Sequence, residues 1–262
     1  MVILTADIGN TNITLGIYEN GRLKTVMRLK TERSRKPDEY GRDLLRILRE
    51  RGISAENVEA FVIASVVPEV TLSLGAGASR SLGREPFLVD KEIRTGITIK
   101  TDAPEQVGAD RIVNAAAAFR FYGGPCLVID FGTATTYDVV TENGEFLGGI
   151  IAPGVKICAE ALWGKTAKLP RVEIKKPDRI MGTNTVSSMQ SGVFYGYLGE
   201  VEFFIRKLKE ELGLDFTTIA TGGLSNLFRD STRAIDLFDE HLTLNGLYYL
   251  YQMNLPARCR QA

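Results

Sequence analysis

The opening pattern of this chain occurs twice. Near the N-terminus an apolar, strand-forming stretch from Val2 to Ala6 runs into Asp7-Ile8-Gly9-Asn10-Thr11. A second stretch, Ile13 to Tyr18, turns at Glu19-Asn20-Gly21 into a third, Leu23 to Leu29. From Cys126 the order repeats as Cys126 to Ile129, Asp130-Phe131-Gly132-Thr133, Thr135 to Val140 and Glu142-Asn143-Gly144. A constant offset of 123 residues carries Asp7 onto Asp130, Gly9 onto Gly132, and Glu19-Asn20-Gly21 onto Glu142-Asn143-Gly144, without a gap. These matches in register, together with matching strand patterns, point to an internal duplication. The chain is therefore expected to build one strand–turn–strand–turn–strand unit twice. Asn-Gly is the dipeptide of a tight hairpin, because both central residues of a type I′ turn need positive φ.

Between and after the copies the pattern is mainly helical. Pro37 is placed to start a helix that carries Leu44, Leu45, Ile47 and Leu48 and stops near Gly52. Phe61 to Val67 reads as a buried strand ended by Pro68, and the small residues of 71–83 as a helix. Pro104 is expected to open a helix through Phe121, with Gly108 inside it and a small-sided stretch, Asn114 to Ala118, able to approach another element closely. A helix is expected up to about Trp163. A long one follows from about Val186 to Leu212, with Val193, Tyr197, Val201, Phe204 and Leu208 near helical spacing. Phe216 to Ala220 reads as a strand entering Thr221-Gly222-Gly223, Leu244 to Tyr251 as a last helix, and the tail from Asn254 as frayed.

Composition narrows the function. Apolar residues make up 44% and charged residues 24% of the 262, which suits a globular chain with a sizeable core. Lys plus Arg and Asp plus Glu are equal at 32 each, so no bulk positive field exists to attract nucleic acid. Cys126, Cys158 and Cys259 are widely spaced, which suggests neither a disulfide framework nor a zinc site. They suit free thiols in a reducing cytosol. The start reads as a strand rather than a signal peptide, and no run of about 18 apolar residues could span a bilayer. A cytoplasmic protein without membrane or nucleic-acid partners is expected.

The D-x-G turns carry the chemistry. A glycine there leaves room for a phosphate to approach backbone amides, the following Asn and Thr offer donors, and the aspartate can hold a hydrated Mg²⁺. One copy is as easily a plain strand-ending turn. Two copies in register favour phosphate binding. Asp110 and Arg111, alone, would pass for a surface ion pair of little worth. Thr221-Gly222-Gly223 suits either an adenine or ribose lying against the backbone or a simple strand-to-helix connection. Gly164-Lys165-Thr166 resembles the end of a Walker A loop, but Ala159 stands where that motif needs glycine and no strand precedes it. His241, the single histidine, and Trp163 suit structural roles.

Duplicated D-x-G hairpins followed by T-G-G resemble the superfamily of acetate and sugar kinases, actin and heat-shock ATPases. The ordered motifs Asp7-Ile-Gly-Asn-Thr11, Gly108-Ala-Asp-Arg111, Asp130-Phe-Gly-Thr-Ala-Thr-Thr136, Thr166-Ala-Lys-Leu-Pro170 and Gly182-Thr-Asn-Thr185 resemble those of type III pantothenate kinases. The resemblance implies an α/β fold of duplicated ribonuclease-H-like, actin-like ATPase domains, 1–120 and 121–262. Each is then a five-stranded mixed sheet with helices, with an active-site cleft between them. It also implies ATP-dependent phosphorylation of pantothenate to 4′-phosphopantothenate, the first step of coenzyme A biosynthesis, in a homodimer. Asp110 would be the general base. Asp7, Ile8, Gly9, Asn10, Thr11, Asn12, Ile13, Thr14, Gly132, Thr133, Gly222 and Gly223 would bind ATP. Gly108, Ala109, Asp110, Arg111 and Thr185 would bind pantothenate, Thr185 across the dimer interface. Asp130 would bind a monovalent cation, K⁺ or NH₄⁺, and Asp7 would hold Mg²⁺ through water. Many members carry an aromatic residue near the position of Thr101. The alternatives are a kinase of the same fold acting on another small alcohol or sugar, and a non-enzymatic regulatory relative.

Overall fold

The structure, a computed structural model, describes residues 1–256 in two compact units. The first takes Met1–Gly96, Ala103–Ala117 and the described residues from Leu242 onward; the second takes Ile97–Asp102 and Ala118–His241.

In the first unit β1 (Val2–Ile8), β2 (Asn12–Glu19) and β3 (Arg22–Lys30) form an antiparallel meander. β4 (Val58–Ser65) joins parallel to β1 on its other side and β5 (Phe87–Leu88) joins parallel to β4, giving the order β3-β2-β1-β4-β5. Strand alternation decides the faces. Leu4, Ala6 and Ile8 of β1 and Ile13, Leu15 and Ile17 of β2 pack with Tyr40, Leu44 and Leu48 of α1 (Pro37–Glu50) and Val70, Leu74 and Ala78 of α2 (Pro68–Leu82). The hairpin between β2 and β3 has Asn20 at φ +48° and Gly21 at φ +78°, as the Asn-Gly dipeptide predicts.

Helix α6 (Leu242–Asn254) packs on β1 and β4 of this unit. Tyr18 stacks on Tyr248 with ring centroids 4.5 Å apart, and its hydroxyl donates to Asn245 Oδ1 at 2.7 Å. The units thus differ from halves divided near residue 120: the chain returns at its C-terminus to cover the first sheet. Asn254, where a frayed tail is expected, is instead tied to Arg94 by two hydrogen bonds of 2.8 and 2.9 Å. The remainder of that tail, with Cys259, lies outside the described residues.

The second unit repeats the topology. β7 (Cys126–Phe131), β8 (Ala134–Val140) and β9 (Glu145–Pro153) form the meander, β10 (Thr217–Thr221) runs parallel to β7, and β11 (Leu237–Phe238) runs parallel to β10. The expected five strands become six, because β6 (Thr98–Ile99) adds to the edge of β9. A two-residue strand is too short to show a period in the sequence; backbone bonds such as Lys100 N to Phe146 O at 2.8 Å hold it. The inner face of β7 and β8 packs on α4 (Val155–Gly164) and on α5 (Thr185–Leu212), through Val193, Tyr197 and Val201. Asn184 caps α5 by accepting from Ser187 N at 2.9 Å, and Gly213 ends it at φ +63°.

One helix starts later than the sequence suggests. Pro104–Gln106 is a single 3₁₀ turn, Val107 is extended, and α3 (Ala109–Tyr122) begins after Gly108. Gly108 is therefore outside the helix, its carbonyl accepting from Ile112 N at 3.1 Å. Pro104 satisfies the rule for a first helical residue, but the extended backbone at Val107 breaks the run before it closes a full α turn.

Candidate active site

In the first unit the turn after β1 is built from backbone bonds. Gly9 N donates to Asn12 O at 3.0 Å, and Thr31, just past β3, donates from its amide to Thr11 O at 3.0 Å and from its hydroxyl to Gly9 O at 2.7 Å. Three turn carbonyls are thereby occupied, while Asn10, Thr11 and Asn12 are exposed to solvent. Asp7 is half-buried, between Ala64 on β4 and Thr14 on β2. Ile8 and Ile13 are fully buried in the apolar core. A phosphate at this turn would meet only their main chain.

The Gly108–Arg111 segment lies at the same end of this sheet. Val66, just past β4, donates its amide to Ile8 O at 3.1 Å, and a Cβ on Gly108 would stand 3.5 Å from Val66 Cγ1. Asp110 occupies the first turn of α3 and accepts from Arg111 N at 2.8 Å. Burial lifts its carboxyl above the ordinary range, against the opposing pull of the Arg111 amide and guanidinium. A side chain on Gly108 would crowd the Asp110 carboxylate. The carboxyl ends of parallel β1 and β4 thus gather Asp7, the exposed turn and Asp110 in one neighbourhood, the usual place for a ligand in an open α/β sheet.

The second unit offers a matching arrangement around Asp130. Asp130 pairs with Thr136 on β8 and with Thr221 on β10. Residues opposite one another across strands share a face, so two threonines flank the carboxylate. The hydroxyls of Thr136 and Thr221 are both buried and have no hydrogen-bond partner among the described residues. Buried polar atoms normally find one. A carboxylate between two unpartnered hydroxyls is an all-oxygen donor set of the kind a hard cation takes. Gly222 adjoins it at φ +89°, where a Cβ would lie 2.7 Å from Phe131 N; the T-G-G strand can pass so close only without a side chain. Gly132 and Thr133 are exposed in the β7–β8 turn, braced by Gly154 N donating to Thr133 O at 3.1 Å. Gly223 is exposed beyond it. Tyr197 donates its hydroxyl to Thr135 Oγ1 and so fixes the strand beside this row.

Other expected positions are less tied to these clusters. Thr185 is exposed in the first turn of α5. Thr101 is half-buried with a buried, unpartnered hydroxyl and lies near Gly148. Gly164-Lys165-Thr166 follows a helix rather than a strand, and Thr166 donates to Leu162 O at 2.7 Å, which removes the Walker A reading. Thr31 and Val66 belong to none of the motifs in the sequence, whereas Thr221 stands there only as the first residue of the T-G-G run. Val66 acts through its backbone amide, and Thr31 through both its amide and its hydroxyl; single bonds of this kind leave no motif in the sequence.

Known proteins resemble this chain over nearly its whole length. The sequence profile of a family described as type III pantothenate kinase matches residues 3–207. A type III pantothenate kinase from Agathobacter rectalis is 48% identical over 252 residues, covering 96% of this chain and 97% of its own. Among solved structures, a protein described as a Baf family transcriptional activator from Campylobacter jejuni matches with TM-score 0.59 at 18% identity, over 96% of this chain and 98% of its own. The activator of 2-hydroxyisocaproyl-CoA dehydratase from Clostridium difficile, with bound ADPNP, matches with TM-score 0.54 at 14% identity, over 96% and 95% of the two chains. At such identities the two structures speak to the fold alone, that of actin-like ATPases.

Proposed function

This chain belongs to the type III pantothenate kinase family, and from that premise we propose how its residues carry out the ATP-dependent phosphorylation of pantothenate that supplies coenzyme A biosynthesis. Asp110 is the general base. Its carboxylate takes the proton of the pantothenate primary alcohol as the alcohol oxygen bonds to the γ-phosphorus and the bond to the ADP oxygen breaks. The supporting observation is that Asp110 is half-buried at the start of α3 beside the β1–β2 turn, desolvated enough to raise its proton affinity. Burial makes its carboxylate a stronger base than an exposed aspartate, suited to accepting a proton within hydrogen-bond reach. Gly108, Ala109 and Arg111 line the pantothenate site, where the Arg111 guanidinium orients the acceptor through its fixed fork of donors. Thr185 reaches pantothenate from the partner subunit of a homodimer.

Residues 7–14 and Gly132-Thr133 cradle the phosphates, and Gly222-Gly223 face the nucleoside. Phosphoryl transfer depends on in-line placement and on stabilising charge over the transferring group. Asp7 would hold Mg²⁺ through water and Asp130 a K⁺ or NH₄⁺ ion, and such ions would supply part of that stabilisation. The oxygen set of Asp130, Thr136 and Thr221 suits the monovalent ion. Asp7, a single carboxylate beside Thr14, suits an ion that keeps its water and takes its remaining ligands from phosphate. The chain acts in the cytoplasm.

The test is a panel of pantothenate, other small alcohols and sugars, incubated with ATP and Mg²⁺, with and without K⁺. Phosphopantothenate is expected as the preferred product, with K⁺ raising the rate. Preference for a sugar would overturn the substrate assignment. Asp110→Asn is expected to lower kcat by about 10²-fold or more, the scale of a lost general base, and near-normal turnover would remove the base from Asp110.

A further inference from the structure

The exposed edge of the first sheet carries cations that none of the assignments above uses. Asp7 is in register with Thr14 on β2, and Thr14 with Arg28 on β3. Directly opposed residues share a face, so Arg28 lies on the Asp7 side of the sheet, two strands away, about 10 Å between Cα atoms. Lys30 pairs with Asn12 and, two residues on, faces the same way. This is the face opposite the core formed with α1 and α2, because Leu29, between them, packs into that core. Both cations are exposed, and neither forms an ion pair among the described residues, unlike nearby Arg35, which is paired with Asp43. Thr31 stitches the end of their strand to the turn through its bonds to Gly9 O and Thr11 O, so this cationic stretch runs directly into the phosphate-binding loop.

We propose that Arg28 and Lys30 form a cationic wall beside the β1–β2 turn and contact the terminal phosphates of the bound nucleotide. The inference rests on the kinase reading, which places a triphosphate at that turn. A triphosphate brings several negative charges to a site whose own side chains include Asp7. Two uncommitted cations on the same face offset that repulsion and donate charge-assisted hydrogen bonds to phosphate oxygens. Arg28, with its planar fork, suits a bidentate contact, and Lys30 acts as a point charge.

The experiment measures ATP binding by calorimetry and steady-state kinetics on the full chain carrying Arg28→Gln, Lys30→Gln, both, or Arg28→Lys. Arg22→Gln, at the far end of the same strand, is the control. Each glutamine variant is expected to weaken ATP binding and raise KM for ATP about tenfold, as loss of one charged hydrogen bond does. KM for pantothenate and the thermal midpoint should be unchanged, Arg28→Lys should recover part of the loss, and Arg22→Gln should behave as wild type. ATP affinity within twofold of wild type in the double variant would overturn the proposal, as would an equal loss in the control. A wild-type chain that binds ATP but does not phosphorylate pantothenate would sink only the kinase assignment, and the binding comparison would still decide this one. A wild-type chain that binds no ATP would overturn both.

Discussion

Burial lifts the proton affinity of Asp110 above that of an exposed aspartate, so the folded chain holds this proton more tightly than the unfolded chain does. The folded state then binds more protons in the interval between the two pKa values, and stability falls as pH rises through it. The contribution is fully present below the unfolded aspartate pKa of about 4 and lost above the folded value. At neutral pH the ionised carboxylate is thus a stability cost, as its proposed role as general base would require. Asp110→Asn keeps an oxygen for the Arg111 amide and removes the charge. Its thermal midpoint is expected above wild type at pH 7 to 8, with the gap closing below about pH 4; a midpoint at or below wild type at pH 7 would contradict the burial argument. Asp7 and Asp130 were legible in the sequence because strand, aspartate and glycine recur in one register. The two hydroxyls flanking Asp130 were not, since their relation to it runs across strands that are far apart in the chain or joined by a turn.

Elements show how the same letters can fold differently. Glu19-Asn20-Gly21 and Glu142-Asn143-Gly144 are identical, yet they close different hairpins. In the first, Asn20 and Gly21 alone form the loop and both have positive φ. In the second only Gly144 does, and Gly144 N donates to Thr141 O at 3.1 Å while Thr141 N donates to Glu145 O at 2.9 Å. That is a three-residue loop with glycine at its left-handed position. Thr141 contributes, its hydroxyl accepting from Asn143 N at 3.3 Å and Glu145 N at 3.2 Å. The small-sided stretch of α3 does what its composition suggests: a Cβ on Gly246 of α6 would lie 2.7 Å from Val113 Cγ1 and 2.9 Å from Ala117 Cβ. Because α3 carries Asp110, the proposed base, at its start, a shift of α3 at this contact is expected to move that carboxylate. Gly246→Val is expected to destabilise the chain by about 2 kcal/mol, the scale of overpacking a tight contact, measured by urea unfolding. It should also lower turnover through α3; an unchanged unfolding midpoint would show that the two helices can separate freely.

At the scale of the whole chain, the C-terminal helix belongs to the unit built by the N-terminus. Leu242, Leu244, Leu247 and Leu250 are all buried there. Burying a leucine contributes about 1.5–3 kcal/mol, so together they rival the 5–15 kcal/mol that separates folded from unfolded domains. A chain ending at His241 is expected to lose hydrogen-exchange protection in β1 and β4 while β7 and β10 remain protected; protection persisting in β1 and β4 would show that the first sheet folds without α6. The amino-acid order alone determined the duplication, the two aspartate–glycine turns, most strands and helices, and the family, because these depend on local periodicity and on motifs a few residues long. Tertiary structure alone decided that the described residues from 242 onward complete the first unit, that a two-residue strand extends the second sheet, and that Gly108 precedes α3. It also decided which threonines stand beside Asp130 and which cations share a sheet face with Asp7. Those outcomes are set by strand register and by burial, and both arise only when segments distant in the chain come to share a surface.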